Sequence, residues 1–258
     1  MGAVVTLWRK HMTKVIVHRE EAFGLLFQPI LWVVLFGTGM KSVIGSALPG
    51  GGGSYITFMV PGIVALTAMS GAIEGGLMFL QERILGTVKE YLAAPIPRVS
   101  ILLGNALSTV TKSLFQAIVV LIVGVLMGAQ VDLLPLGWLN GLVLIVGFGL
   151  GFAGIGLSVA SRTTSPGGYH MLIFMFSLPL LFLSSSLYPL ASLPAWMRIA
   201  ARVNPMSYVV DGLRQTAFQG SGALAGGEFP LWLCFLVVAL FALLGIALAY
   251  SAFRKSIK

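Results

Sequence analysis

The sequence predicts an all-helical integral membrane protein built around six membrane-spanning helices. Three observations carry this. The 258 residues are 57% hydrophobic and only 9% charged, where a soluble domain carries roughly 25% charged residues. Mean hydropathy is +0.97. Six apolar segments, Phe23–Met40, Ile56–Leu80, Ile101–Met127, Leu136–Ala160, Tyr169–Leu187 and Phe229–Phe253, are each long enough to cross a bilayer core, which takes about 20 helical residues. Residues 1–258 read as a single membrane domain.

The chain opens, over residues 1–22, with a predicted interfacial helix. Leu7, Trp8, Met12, Val15 and Ile16 form one apolar stripe, while Arg9, Lys10, Lys14, Arg19, Glu20 and Glu21 are polar. That pattern suits a helix lying in the headgroup plane. His11 and His18 share a face but lack a third ligand, so they read as surface histidines rather than a metal site. The first span could be mistaken for a signal peptide cut after Ala47. Its charged leader is too long and contains acids, so a retained span is expected. Gly50–Gly53 make the following loop, Lys41–Ser54, a flexible linker.

Between the second and third spans, Gln81–Arg98 is the longest charged interruption. Ile84, Leu85, Val88, Tyr91 and Leu92 recur at helical spacing, with Glu82, Arg83, Lys89, Glu90 and Arg98 around them. Pro95 and Pro97 end the helix, because proline lacks the N–H and disfavours helix in the residue before it. The expectation is a short amphipathic helix at the membrane surface. It either rests on headgroups or docks a soluble partner.

The segment Tyr188–Glu228 lies before the last span. Trp196, Met197, Ile199, Val203, Met206, Tyr208 and Val209 would be wasted in water, and Pro189, Pro194 and Pro205 cut the segment into pieces. Two short helices that re-enter the outer leaflet or lie on it are expected, with protein or a wet cavity shielding their irregular backbone. Trp196 and Tyr208 should sit against lipid.

Charge placement sets orientation. With the N-terminus inside, eleven of the sixteen Lys and Arg residues fall on the cytosolic side and four outside, which favours cytosolic N- and C-termini. The net charge of +8 lies at span ends, where it faces headgroups rather than nucleic acid. The lone Cys234 allows no intrachain disulfide. No GxxxxGK[ST] run occurs, so the chain does not cradle nucleotide phosphates in the P-loop manner.

Two ionisable residues fall within spans, Glu74 and Lys112. Buried charges in membranes are costly and often functional. A structural pair, a snorkelled lysine beside a solvated glutamate, and a substrate or proton role all stay open. Gln28, Asn105, Gln116 and Ser184–Ser186 are expected to bond between helices. Gly147, Gly149, Gly151, Gly154 and Gly156 allow close helix approach, within the chain or to a second copy. Ser158 and His170 lie on opposite sides of the turn at Arg162, with no oxyanion motif, which argues against an intramembrane serine protease.

Three stretches also carry a resemblance. Gln81–Arg98, with Glu82, Gly86, Thr87, Glu90, Leu92 and Pro95, resembles the cytosolic coupling helix of the transmembrane subunit of type-2 ABC exporters, the ABC-2 permease family. Leu187–Arg214 resembles that family's signature before the last span, with Pro189, Leu193, Pro194, Asn204, Pro205, Tyr208, Asp211 and Arg214 in place. Gln28–Gly37 is similar to the first span of the branch of daunorubicin-type drug exporters and nodulation-factor exporters. The resemblance implies six spans, an N-terminal amphipathic helix, a coupling helix and two short external helices. It implies two membrane subunits, a homodimer or a pair with a close relative, joined to two ABC ATPase subunits that bind ATP and Mg. The chain itself would hold no cofactor or metal. Glu82, Arg83, Gly86, Thr87, Val88, Glu90 and Tyr91 would couple to the ATPase. A bacterial inner-membrane location follows from the same resemblance.

A subunit of an ATP-driven exporter is therefore expected, moving an amphipathic drug, lipid or glycoconjugate outward among membrane lipids. Trp32, Phe36, Phe58, Phe174 and Phe182 could instead line a sugar path in an exporter specialised for polysaccharide. The alternative from another class is a secondary transporter or channel acting alone. Such proteins usually show related halves and several intramembrane charges; here only Glu74 and Lys112 qualify and no internal repeat is visible.

Overall fold

A computed structural model describes residues 2–17, 19–40, 55–87, 97–132, 134–218 and 227–256. Among these, apolar periodicity becomes nine α-helices: α1 (Gly2–Val17), α2 (Arg19–Gly39), α3 (Tyr55–Ile84), α4 (Arg98–Leu126), α5 (Pro135–Arg162), α6 (Pro166–Phe182), α7 (Ala195–Val203), α8 (Pro205–Ala217) and α9 (Leu231–Ser256). A single 3-10 turn, Leu190–Ser192, precedes α7.

Helix α3 is the hub. It packs against α2, α4, α5, α6 and α8, and Met59, Val60, Ile63, Ala65, Ala68 and Ala72 are buried along its length. Small residues make this possible. A Cβ built at Gly71 would lie 2.5 Å from the Ser113 hydroxyl, and one at Gly75 would run into Thr109. Asn105 uses that closeness, its Nδ2 donating to the Gly75 carbonyl at 3.2 Å. This is the interhelical role expected of it.

The glycines of α5 serve mostly the chain itself. Gly147 faces Val238, Gly151 faces Phe241 and Gly154 meets the Gly245 backbone, all on α9, while Gly156 faces Ile73 and Tyr169. Gly149 has nothing within 4 Å of a built Cβ. The close approach these residues permit is therefore spent on packing α5 against α9 and α3.

Four described helical stretches are long and apolar enough to cross a membrane: Tyr55–Ile84, Leu103–Leu126, Pro135–Arg162 and Leu231–Ala252. Leu26–Gly39 and Pro166–Phe182 are apolar but shorter. The fifth expected span, Tyr169–Leu187, stops early as a helix because α6 ends at Phe182, three residues after Pro179. The non-helical Ser184, Ser185 and Ser186 that follow are fully buried. Their polar groups are met inside the protein: Ser184 Oγ donates to the Leu181 carbonyl at 2.6 Å, and the Ser185 N–H donates to Ser207 Oγ at 3.3 Å. This is how irregular backbone survives at depth.

Two boundaries differ from expectation. Gln81–Ile84, expected in a separate surface helix, form the last turn of α3; a turn follows at Leu85–Gly86, with Gly86 at φ +82°. At 30 residues, α3 is about 45 Å long and outreaches a hydrocarbon core of about 30 Å, so its polar end leaves the apolar layer without breaking the helix. Helix α1, expected to run over residues 1–22, ends at Val17, and Arg19 already begins α2; α1 packs along α4. Leu7 sits on Gly104, and the Trp8 indole donates to Thr111 Oγ1 at 3.1 Å. His11 is then no surface residue. It is buried, with Nδ1 3.1 Å from Ser108 Oγ. His18 lies outside the described residues.

Candidate functional site

Three regions hold the residues singled out above. The first is a cavity of about 460 Å³ walled by α2, α3, α6 and one residue of α4. It is half open. Gln28 and Trp32 come from α2, Glu74 from α3, Gln116 from α4, and His170 and Phe174 from α6. Aromatic faces thus stand beside amide, carboxylate and imidazole groups. A volume of this size accommodates a drug-sized ligand, and mixed walls of this kind suit an amphipathic one. Trp32 and Phe174, two of the aromatics that could line a sugar path, are both here. Phe36 stacks on Trp32 with centroids 5.1 Å apart, and Phe58 serves elsewhere.

Glu74 lines the cavity and Lys112 does not. No ion pair joins the two among the described residues. Glu74 has an interaction of its own, and Lys112 lies on α4 between Thr111, which binds Trp8, and the buried Ser113. Glu74 is thus a cavity carboxylate, and Lys112 stands outside the cavity lining. His170 lines the cavity while Ser158 does not, so no serine–histidine pair forms there. The described residues contain no cluster of potential metal ligands.

The second region is the polar end of α3. Glu82 Oε1 lies 3.3 Å from Lys10 Nζ and 3.3 Å from His11 Nε2, both on α1. The neighbouring Arg83 turns the other way. Its Nη1 donates to the Ser161 carbonyl and its Nη2 to the Thr163 carbonyl, at the end of α5. The orphan carbonyls of a helix C-terminus are a natural seat for a guanidinium. Gly86 and Thr87 follow in the turn, and a small groove beside them is lined by Lys10, His11, Met78, Gln81, Glu82 and Leu85 among others. Val88, Glu90 and Tyr91 lie outside the described residues.

The third region is the segment before α9, whose polar residues are its framework. Pro189 precedes the 3-10 turn and Pro194 precedes α7. Asn204 joins α7 to α8. Its Oδ1 accepts from the Met206 N–H at 3.0 Å, while Nδ2 donates to the carbonyls of Leu180 at 2.7 Å and Leu183 at 3.0 Å. Pro205 takes the first helical position, where its missing N–H costs nothing. Tyr208 donates to the Arg202 carbonyl at 2.6 Å and rests on Phe229, centroids 4.3 Å apart. The Asp211 carboxylate accepts from the N–H groups of Glu228 at 3.1 Å and Phe229 at 2.9 Å, and from Gln215 Nε2 at 2.9 Å. Arg214 is buried with its guanidinium 3.7 Å over the Phe58 ring. It donates to the carbonyls of Phe58 at 3.0 Å, Ser185 at 2.7 Å and Ser186 at 3.4 Å. Trp196 does stand outward, 65% exposed beside Ile199 and Val203 on one face of α7; Tyr208 does not share that face. Glu228, in the loop before α9, accepts from the Leu190 N–H at 2.9 Å. Burial pushes its carboxyl above the usual range, against that hydrogen bond.

Two site residues escaped the sequence reading. Tyr169, fully buried at the base of α6, donates to the Ile73 carbonyl at 2.6 Å and lines the cavity. His11 bridges α1 to α4 and to the end of α3. A visible signal existed for Tyr169: Gly76 and Gly156, against which its hydroxyl packs, are small residues on two different spans.

Residues 2–218 match the family model described as ABC-2 type transporter. A protein of Porphyra purpurea named as a transport permease, ycf38, is 35% identical over 193 residues, 73% of this chain and 65% of its own. Nodulation protein J of Rhizobium leguminosarum bv. trifolii is 29% identical over 219 residues, 81% of this chain and 79% of its own. The daunorubicin resistance ABC transporter permease protein DrrB1 of Streptomyces coeruleorubidus is 24% identical over 199 residues, 76% of this chain and 68% of its own. The chain thus spans somewhat under two thirds of the Porphyra relative's length.

Proposed function

This chain belongs to the ABC-2 type transporter family, and from that premise we propose that it is the membrane permease subunit of an ATP-driven exporter. Its substrate is an amphipathic drug, lipid or glycoconjugate. The observation that carries this reading is the cavity between α2, α3, α4 and α6, where Trp32 and Phe174 stand beside Gln28, Glu74, Gln116 and His170. The name of DrrB1, a permease of daunorubicin resistance, fits an amphipathic cargo. The chain has six spans, with α2 and α6 as the shorter two, in a bacterial inner membrane, and the Lys and Arg bias favours cytosolic termini.

Energy comes from outside the chain. Two copies of an ABC ATPase bind ATP and Mg, and the segment from Glu82 through Tyr91 meets them. Gly86, Thr87, Val88 and Glu90 supply the docking surface beyond the helix end, while Glu82 and Arg83 tie that surface to the chain's own helices. A second copy of the permease covers the exposed apolar side chains of α2 and α6, such as Phe27, Leu35, Phe174 and Phe176, and closes the open side of the cavity.

The test is purification of the chain with its ABC ATPase in mild detergent, native mass spectrometry, and a screen for compounds that stimulate ATP hydrolysis in vesicles. Two permease and two ATPase subunits are expected, with stimulation by amphiphiles that is lost in Trp32→Ala. Export by the chain alone, driven by an ion gradient, would overturn the reading in favour of a secondary transporter.

A further inference from the structure

The end of α3 faces two ways within two residues. Glu82 reaches α1, through Lys10 and His11. Arg83 reaches the turn between α5 and α6, through the carbonyls of Ser161 and Thr163. That turn is short. Thr163 closes α5, and Ser165 already caps α6, its Oγ accepting from the Gly168 N–H at 3.2 Å. Pro166 begins α6 and stiffens the junction. Four residues after Ser165 stands Tyr169, donating to the Ile73 carbonyl at 2.6 Å on the same α3 helix. The base of α6 is therefore attached to α3 directly at Ile73 and, through the end of α5, at Arg83, ten residues or about 15 Å further along the helix. Tyr169 and His170 both line the cavity.

We infer that Arg83 is a positioning residue that sets the cytosolic side of the cavity: by holding the Ser161–Thr163 turn, it carries displacement of the Glu82–Thr87 end to the base of α6. This rests on the exporter reading for its direction of action, but the contact is internal to the chain. Arginine suits the task because its planar fork spans two carbonyls at once, where a lysine ammonium acts as a single point charge. The Arg83 side chain is only part-buried, so its replacement leaves the packed core intact. Its use inside the chain also separates it from Thr87 and the residues beyond, which are left for a partner.

The experiment uses the full chain in vesicles, in a Cys234→Ala background, with single cysteines at Ser70 or Ser177 in the cavity wall and a control cysteine at Trp232 on α9. Labelling rates with N-ethylmaleimide are compared for the parent, Arg83→Lys and Arg83→Gln. Losing both charge-assisted hydrogen bonds should speed labelling at the two cavity positions about tenfold in Arg83→Gln. Arg83→Lys should fall between, and the control should not change. Unchanged cavity labelling in Arg83→Gln overturns the inference; so does an equal rise at all three positions, which reports general loosening. In the complex with its ATPase, Arg83→Gln should move less substrate per ATP hydrolysed. A parent that binds no ATPase defeats the exporter reading, and the labelling comparison still decides the role of Arg83.

Discussion

Replacing Gly154 by alanine inserts one methyl group between α5 and α9. The built Cβ of Gly154 collides with the Gly245 backbone, and the Cβ of Gly245 collides with that of Gly151. Backbone cannot rotate aside as a side chain can, so the helices must part by a large fraction of an ångström. Parting loosens contacts along the whole α5–α9 seam, including the Phe148, Phe152 and Phe241 cluster, whose centroids lie 4.9 to 5.8 Å apart. Overpacking of this kind costs about 1–3 kcal/mol, and the collision with backbone argues for the upper half. For a chain of this size that lowers the melting temperature by roughly 4–10 °C. Gly149→Ala is the control in the same helix. Its Cβ meets nothing, and alanine is the better helix former by up to about 1 kcal/mol, so its melting point should hold or rise. Gly154→Ala with Gly245→Ala should lose less than the sum of the two, since helices already parted have room for the second methyl. The assay is thermal melting in one detergent, followed by tryptophan fluorescence. Equal melting of Gly154→Ala and Gly149→Ala would refute the seam.

Arg214→Met removes a buried charge but strands the Ser185 and Ser186 carbonyls it satisfies; each costs about 1–3 kcal/mol, so a melting loss larger than that of Gly154→Ala is expected in the same assay. Glu228 has a folded pKa raised by burial, so the stability linked to it is present below the free carboxyl value and is lost as pH rises through the raised one. Glu228→Gln keeps an acceptor for the Leu190 N–H, and its melting curve should be flatter than the parent's as pH rises above 4.5. Glu74→Gln and Lys112→Gln should be additive to within about 0.5 kcal/mol in a double-mutant cycle, because no ion pair joins them among the described residues; strong coupling would show contact between them.

Most helices were legible because apolar runs of membrane-span length have few alternatives. Their ends were less so. Nothing in Gln81–Ile84 announces that α3 continues through them, since an amphipathic stripe reads alike whether it extends a span or starts a new helix. The segment before α9 was legible as a pattern of Pro189, Pro194, Asn204, Asp211 and Arg214, but not as a framework. The partners of those side chains are backbone carbonyls and N–H groups, which every residue carries and which leave no mark in a sequence. His11 was misjudged for a related reason: an amphipathic stripe shows which face is apolar, not whether lipid or another helix covers it. The cavity joins residues from four helices, and no spacing along the chain records that meeting.

The anchorage of α6 has a mechanical consequence. Near its start it hangs from one hydroxyl, Tyr169 on Ile73, and near its end from one amide, Asn204 on Leu180 and Leu183. Between those pins much of its surface is bare apolar side chain: Met171, Phe174, Met175 and Phe176 are each more than half exposed. It hangs like a shutter on two hooks, whereas α5 and α9 are pressed backbone to backbone. Unhooking a single neutral hydrogen bond costs about 0.5–1.5 kcal/mol, only one to three times thermal energy. Releasing α6 at either hook is thus cheaper than parting α5 from α9. Amides of α6 should exchange with heavy water well before those along the α5–α9 seam, and the moving wall of the cavity is the helix with the fewest neighbours rather than the one with the most glycine.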